Sequence, residues 1–196
     1  MTMDIKHITD TILPTFEALK AEENIEVEIR LGKHNGSLFD TNVGRDTWER
    51  TLKGLKNYDG WESTNYTESD VYYNDNSNVR ITSNEDTGEQ TMIQKISVVK
   101  EDFKCEPLDV RVCIAREIPI SGEYEMDRKR TKVRHSFVRK NLSIDMTISS
   151  GDNVDMDSEE EASYQIELEI VKPGDVDSVY KLFNIINKVA DMAKIM

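Results

Sequence analysis

Three segments of the chain alternate between two kinds of side chain, and this pattern limits the fold more than any other feature of the sequence. Residues 25–31, IEVEIRL, place Glu26, Glu28 and Arg30 between aliphatic residues. This alternation predicts a β-strand with one charged face and one aliphatic face. For a single strand, the simplest interpretation is a half-buried sheet with aliphatic residues in the core and charges in water.

The polar faces of these segments are each dominated by one sign of charge. Residues 130–136, RTKVRHS, carry cations on one face, and residues 165–170, QIELEI, carry Gln165 and two glutamates on one face. Like charges side by side in a sheet cost a few tenths to about 1 kcal/mol per pair, so ordinary solvent faces mix the signs. Such clusters indicate partners of opposite charge. A divalent metal ion beside a polyphosphate meets both requirements.

The other predicted strands also separate a polar set from an aliphatic set. If such strands close into a barrel, the polar sets can point into the lumen while the aliphatic sets pack outward against helices. The further charged residues on these polar faces are Arg80, Lys95, Arg111, Glu117 and Asp145.

Helical periodicity marks three other segments. Residues 5–19 repeat apolar side chains at steps of three and four, and Pro14 predicts a kink or an early break there. Asp46 and Glu49 have the spacing of a capping box at the start of a short amphipathic helix. Residues 175–196 predict a closing helix.

Turn-forming residues separate the short β-type runs between residues 66 and 148. They occupy residues 74–78, 83–89 and 120–127, and they predict antiparallel hairpins. Residues 152–161 hold six acidic residues and no basic one, which predicts a solvated loop.

Composition excludes several classes of function. The formal net charge is -13, from 25 basic and 38 acidic residues, which argues against nonspecific coating of nucleic acid. Cys105 and Cys113 form neither a C-x-x-C pair nor a disulfide framework. No apolar run approaches the roughly 20 residues that span a bilayer. We therefore expect a soluble intracellular protein without a membrane partner, and the absence of a basic-aromatic stripe argues against sequence-specific nucleic-acid readout.

Three motifs, taken in order, carry a resemblance to a known family. They are EVEIR at 26–30, RTKVRHSF at 130–137 followed by IDMT, and QIELEI at 165–170. Together they resemble the triphosphate tunnel metalloenzymes, and more narrowly the metal-dependent RNA triphosphatases of fungal and large-DNA-virus mRNA capping systems. The resemblance spans residues 25 to about 172.

The resemblance implies an α+β, mainly β fold, namely a closed eight-stranded antiparallel barrel with a polar interior, flanked by a few helices. We expect a single domain over residues 1–196. Its N-terminal helix would cover residues 4–20, its barrel about 24–172 and its C-terminal helix about 175–196. It could form the N-terminal part of a longer capping enzyme.

The resemblance also implies a role for each polar residue of the tunnel. Glu26, Glu28 and Glu169 would bind Mg²⁺ or Mn²⁺, and Glu167 would orient or activate the attacking water. Gln165 stands where the family usually has a third glutamate, so a direct ligand role for it is in doubt. The implied phosphate-binding residues are Arg30, Arg80, Lys95, Arg130, Lys132 and Arg134, of which the last three are also implied in catalysis. The implied supporting residues are Glu117, Asp145, Arg111 and Gln165.

The implied activity is removal of the γ-phosphate from the 5′-triphosphate end of nascent mRNA, the first step of cap formation, by in-line attack of a metal-organised water. Nucleoside triphosphates would be further substrates, and a guanylyltransferase domain or subunit would be a partner. The compartment would be the nucleus or the cytoplasm, including a viral factory or virion. Two alternatives stay open: a tunnel phosphatase for inorganic or other small triphosphates, and a non-catalytic module that binds phosphate or protein.

Overall fold

The computed structural model describes residues 2–151 and 162–196, which form an antiparallel barrel with helices on its outer side. The helices are α1 (Ile5–Leu19), α2 (Arg45–Asn57) and α3 (Val179–Ala193). The strands are β1 (Ile25–Asn35), β2 (Leu38–Asp40), β3 (Ser63–Asn74), β4 (Val79–Asn84), β5 (Gln90–Phe103), β6 (Asp109–Pro119), β7 (Arg128–Arg139), β8 (Leu142–Gly151) and β9 (Ser163–Ile170).

Eight of these strands close into a ring. The order around the barrel is β1, β6, β5, β4, β3, β7, β8 and β9, and the β1–β9 pairing closes it. At the closure, Glu28 lies opposite Glu169 and Arg30 lies opposite Glu167. Strand β2 pairs with the far end of β1 as an addition to the ring. The predicted fold, a closed eight-stranded antiparallel barrel, is confirmed.

The barrel turns its aliphatic faces outward. Val27, Ile29 and Leu31 of β1 are almost fully buried in a core that they share with α1 and α3. Phe16 and Ile186 are among the fully buried helical side chains of that core. Complete burial of such a side chain contributes about 1.5–3 kcal/mol. The charged face of β1 therefore points into the lumen, and the half-buried sheet with charges in water is ruled out.

Helix α1 continues through Pro14, where the sequence predicts a kink or a break. Proline in a helix interior loses one backbone hydrogen bond and costs about 3 kcal/mol. Ile12 and Phe16, on either side of it, are both buried in the core. Their burial offsets the cost, so tertiary packing overrides the local signal.

The predicted capping box at Asp46 is wrong. Helix α2 begins at Arg45 with Gly44 as its N-cap residue, and no side chain caps it. Glu49 instead accepts a hydrogen bond of 2.9 Å from Arg45 Nε. Gly44 has a φ of +88°, which a residue with a side chain rarely adopts. Asp46 lies in the first turn, where a carboxylate favours the helix dipole.

Residues 120–127 do not form the turn of a hairpin. They connect β6 to β7, and these two strands lie in different parts of the ring, because β6 pairs with β1 and β5 while β7 pairs with β3 and β8. The turns at 75–78 and 85–89 do join paired strands. The acidic segment 152–161 lies outside the described residues.

The C-terminal segment begins with a single 3₁₀ turn at Pro173–Asp175, and α3 follows after Ser178, whose side chain accepts a hydrogen bond from the Lys181 backbone N–H. In the described ranges, none of the helices is both long enough and apolar enough to cross a membrane.

Candidate active site

One wall of the lumen is built from carboxylates on β1 and β9. Glu26 and Glu28 alternate with buried aliphatic residues on β1, and Glu169 lies opposite Glu28 across the closing strand pair. Lys95 reaches in from β5, with its Nζ 2.6 Å from Glu26 Oε1 and 3.3 Å from Glu28 Oε1. The structure brings the three predicted metal ligands to one wall and places a lysine against two of them.

The carboxylates of this wall disfavour each other's ionised form. Burial raises the pKa of Glu26, and the charge of Glu28 raises it further. Burial raises the pKa of Glu169 to about 7, together with the charges of Glu26 and Asp145. Burial is the larger cause of both shifts, and a bound cation would oppose it by favouring the ionised carboxylates.

The donor chemistry of this wall fits a hard divalent cation, because Mg²⁺ and Mn²⁺ prefer carboxylate oxygens. Across residues 2–151 and 162–196, no three acidic, histidine or cysteine side chains converge as a ready coordination sphere. Glu28 bonds to Arg30 as well as Lys95, with Arg30 Nη2 2.8 Å from Glu28 Oε1. The ammonium and guanidinium groups take the place of a counter-ion on these carboxylates.

Glu167 lies between the carboxylate wall and the cations of β7. Its Oε1 is 3.4 Å from Arg30 Nε, and its Oε2 is 3.8 Å from Arg134 Nη2. Burial alone would raise the pKa of Glu167, but Arg30, Arg134 and Lys132 outweigh burial and lower it. Glu167 is therefore ionised, and it can accept a hydrogen bond from water.

The three predicted cations of β7 have different surroundings. Arg134 Nε donates to Thr147 Oγ1 at 2.9 Å, which aims the guanidinium along the lumen toward Glu167. Arg130 donates from Nε to Ser149 Oγ at 3.0 Å and from Nη2 to the Ser149 carbonyl at 2.9 Å. Arg130 is thus held against the barrel wall.

Lys132, the central cation of β7, is half-buried. Burial lowers the pKa of its ammonium. Its Nζ lies 5.7 Å from the ring centre of Tyr73, and the guanidinium carbon of Arg80 lies 5.3 Å from the same centre. Burial raises the pKa of the Tyr73 phenol, but Lys132, Arg80 and Arg128 together lower it.

The supporting residues Asp145 and Gln165 lie beside this machinery rather than within it. Asp145 is buried and accepts hydrogen bonds from Ser136 Oγ at 2.7 Å and Ser143 Oγ at 2.8 Å. Gln165 Nε2 donates to Ser163 Oγ at 3.2 Å. The amide is held by a neighbouring hydroxyl, which fits a residue that supports the site without binding metal.

Arg111 and Glu117 are the supporting residues of β6. Arg111 donates from Nε and Nη2 to both carboxylate oxygens of Asp102, at 2.6 and 2.9 Å. Glu117 lies directly across from Lys95 in the strand register. Within the parts of the chain that the structure describes, no buried side-chain nitrogen or oxygen lacks a hydrogen-bond partner. The charged lumen is therefore compensated by internal pairs.

A cavity of about 290 Å³ lies in the lumen beside Glu28. Its lining includes Glu28, Arg30, Arg80, Lys95, Arg111 and Arg128, but not Glu26, Glu167, Glu169, Arg130, Lys132 or Arg134. A larger cavity of about 740 Å³ lies outside the barrel, between α3, the β7–β8 turn and Trp61. None of the predicted site residues lines that outer cavity, so the smaller, charged one is the candidate active site.

Several lumen residues escape the sequence analysis. Arg128 lies two residues before Arg130, so the alternation along the strand could have predicted that it shares the cationic face. Tyr73, opposite Arg128 on β3, carries no such signal, because nothing local distinguishes a lumen-facing tyrosine from an outward one. Asp102 is missed for another reason: a register shift between Ser97 and Val99 breaks the alternation along β5, so the residues that face the lumen before the shift do not predict those after it.

The sequence matches the family model described as mRNA capping enzyme, beta chain, over residues 49–194. The chain belongs to this family. Its members are RNA 5′-triphosphatases, so the predicted family and the predicted enzyme class, a polynucleotide 5′-phosphatase, are both confirmed. No curated protein sequence matches the chain.

Solved structures of capping triphosphatases share the fold. The RNA triphosphatase Pct1 of S. pombe superimposes with a TM-score of 0.78 at 18% identity, covering 100% of this chain and 93% of Pct1. Pct1 in complex with the Spt5 CTD gives a TM-score of 0.80 at 17% identity, with coverages of 100% and 94%. The Mimivirus capping enzyme triphosphatase gives 0.67 at 13% identity, with coverages of 98% and 99%.

Proposed function

We propose that this capping-family enzyme removes the γ-phosphate from triphosphate-ended RNA, in the first step of cap formation, by in-line attack of a metal-organised water. The observation that carries the proposal is the division of one closed lumen into a carboxylate wall and a cationic wall. Phosphoryl transfer needs little covalent help from a protein, and it depends on positioning and on charge stabilisation. A lumen divided in this way supplies both.

The metal site of the proposal consists of Glu26, Glu28 and Glu169. A bound Mg²⁺ or Mn²⁺ would polarise the γ-phosphate and lower the pKa of a bound water. Lys95 now contacts two of these carboxylates. A metal ion held by these carboxylates would compete with the Lys95 ammonium for the same oxygens, which would leave Lys95 available to bind phosphate.

The cations of the opposite wall bind the triphosphate. Arg134 and Arg80 can each offer two parallel N–H donors to phosphate oxygens, and Lys132 supplies a point charge. Their charges stabilise the negative charge that spreads over the equatorial oxygens and the leaving group. Because its pKa is lowered, Glu167 is a weak proton acceptor, and its proposed role is to orient the attacking water.

Hydrolysis of nucleoside triphosphates follows from the same arrangement, because a free nucleotide presents the same terminal phosphates. A phosphatase that prefers inorganic triphosphate is the second candidate, supported by the depth at which the carboxylates lie. We also propose a guanylyltransferase as a separate subunit or domain, which the description of the family as the beta chain of a capping enzyme supports.

The decisive experiment measures phosphate release from triphosphate-ended RNA with Mg²⁺ or Mn²⁺. Glu28→Gln should lower turnover by about 10²-fold or more, the order expected when a group that stabilises transition-state charge is removed. Glu17→Gln, which alters an exposed glutamate paired with Lys20 on α1, is the matched control and should retain activity. Absence of release from the unaltered enzyme, or full activity of Glu28→Gln, would contradict the proposal.

A further inference from the structure

We infer that Arg128 and Tyr73 form a second anion subsite at the mouth of the lumen, which binds the first phosphodiester of the RNA behind its triphosphate. This inference rests on the proposed function, and it assigns the enzyme's preference for RNA over a small triphosphate to these two residues. We call the pair the mouth subsite. It lies outside the motifs that carry the family resemblance.

Three cations surround the Tyr73 ring. The guanidinium carbons of Arg128 and Arg80 lie 4.0 and 5.3 Å from the ring centre, and the ammonium nitrogen of Lys132 lies 5.7 Å from it. The ring is itself 7% exposed, so it cannot serve as a stacking surface for a base. Its negative face instead attracts the three cations and so holds these mutually repelling charges close together.

The mouth subsite is continuous with the catalytic cavity. Arg128, Tyr73 and Arg80 line the same cavity of about 290 Å³ as Glu28 and Lys95. Side-chain exposure rises along it, from 8% for Glu28 and 14% for Lys95 to 44% for Arg128. A triphosphate whose terminal phosphate is at Glu28 would therefore extend its chain toward solvent past Arg128.

Arg128 has the chemistry of a phosphodiester contact. Its Nε and Nη2 donate to Asp75 at 3.0–3.2 Å, so within the described residues Nη1 is left to donate to a ligand. The Arg128–Asp75 pair is exposed and therefore weak enough to rearrange. Once released from Asp75, the Arg128 guanidinium can offer two parallel donors to a phosphodiester. Arg130, the next cation inward on the same face, already donates to Ser149 and is less available.

The test compares two substrates that share the triphosphate, of which only the RNA carries nucleosides and a phosphodiester. A short triphosphate-ended RNA reaches the mouth subsite, whereas inorganic tripolyphosphate does not. For Arg128→Ala, we expect the KM for the RNA to rise about tenfold or more, as for loss of a charged hydrogen bond. The KM for tripolyphosphate and both kcat values should stay within about twofold of the unaltered enzyme. Arg128→Lys should show an intermediate KM, because it keeps the charge without the paired donors.

The matched control is Arg116→Ala. Arg116 lies on the outer face of β6 and is 35% exposed, and its Nη2 lies 2.9 Å from Glu22 Oε2. It therefore forms an exposed ion pair like Arg128–Asp75, but away from the lumen. It should leave both KM values unchanged. An equal KM change on both substrates in Arg128→Ala, or no change on either, overturns the mouth subsite while the proposed function stands. An unaltered enzyme that hydrolyses tripolyphosphate but not RNA overturns both.

Discussion

Lys95 shows, at the scale of a single residue, how a lumen full of like charges stays folded. Its ammonium contacts Glu26 and Glu28, and all three side chains are largely buried. A buried charge is costly unless it is paired and hydrogen-bonded. Lys95 is therefore an internal counter-ion for Glu26 and Glu28, and the proposed metal would compete with it for the same carboxylates.

We predict that Lys95→Met lowers the free energy of unfolding of chelator-treated protein by about 1–3 kcal/mol, because two buried carboxylates lose a partner. Mn²⁺ should then raise the melting temperature of Lys95→Met more than that of the unaltered protein. Thermal unfolding with and without Mn²⁺ measures both effects. Lys194→Met, at an exposed lysine paired with Asp191, is the control. Equal Mn²⁺ shifts in both proteins would contradict the counter-ion role.

At the scale of elements, the tight turn between β7 and β8 fixes the register of the cationic strand. Lys140 and Asn141 form it, with φ angles of +47° and +65°. Arg139 pairs with Leu142 directly across the turn. Asn141 also anchors the end of β9, because its side chain accepts from Lys172 N at 2.7 Å and donates to Lys172 O at 2.9 Å.

We predict that Asn141→Ala lowers the free energy of unfolding by about 1–3 kcal/mol, from two lost hydrogen bonds and a left-handed backbone that alanine disfavours. Lys140→Ala is a closely matched control, since it shares the positive φ without the bonds to Lys172. Lys140→Ala should lower the free energy of unfolding by less than Asn141→Ala does. Urea denaturation of the two variants measures the difference, and equal losses would show that the bonds to Lys172 contribute nothing.

Asp109, at the start of β6, gives the fold a dependence on pH. Its carboxylate accepts from the backbone N–H of His34 at 2.9 Å and of Cys105 at 3.0 Å. Burial raises the pKa of Asp109, but these two hydrogen bonds and the charge of Lys33 outweigh it and lower the pKa. The stabilisation is therefore present above the ordinary aspartate pKa of about 3.9 and is lost as pH falls through the lower folded value.

Asp109→Asn should consequently lower the free energy of unfolding by about 1–2 kcal/mol at neutral pH. The difference from the unaltered protein should shrink as the pH falls below about 4, where the carboxyl of the unaltered protein also becomes neutral. Denaturation as a function of pH measures this, with Asp59→Asn on the surface as the control. A difference that is constant with pH would rule out a contribution from the charge.

At the scale of the whole molecule, the distribution of charge separates the end of a substrate from its body. The formal net charge is -13, yet several arginine and lysine side chains line the small cavity of the lumen. A negatively charged exterior repels a nucleic-acid backbone, whereas the lumen attracts a compact polyphosphate. The repulsion is long-range and is screened at physiological ionic strength, where the Debye length is about 8 Å.

We predict that lengthening a triphosphate-ended RNA beyond its first nucleotides does not lower its KM. At low salt the longer RNA should have the higher KM, and the gap should close as salt approaches about 0.15 M, because screening removes the repulsion. Steady-state kinetics with a short and a long RNA at two salt concentrations test this. A strongly lower KM for the long RNA would instead reveal a basic track along the exterior.

The sequence by itself determined which residues share a face. The alternation of Glu26, Glu28 and Arg30 with aliphatic residues separates a charged face from an aliphatic one, because the period of a strand is local and invariant. That the strands close into a barrel was what the family resemblance implied. Tertiary structure decided what local chemistry leaves open. The helix continues through Pro14 because the core holds both of its halves, and Lys95 meets Glu26 and Glu28 because β5 and β1 both pair with β6. Tyr73 and Arg128 became neighbours because β3 pairs with β7 in this register, and strand register is a long-range property that the residues beside each position do not set.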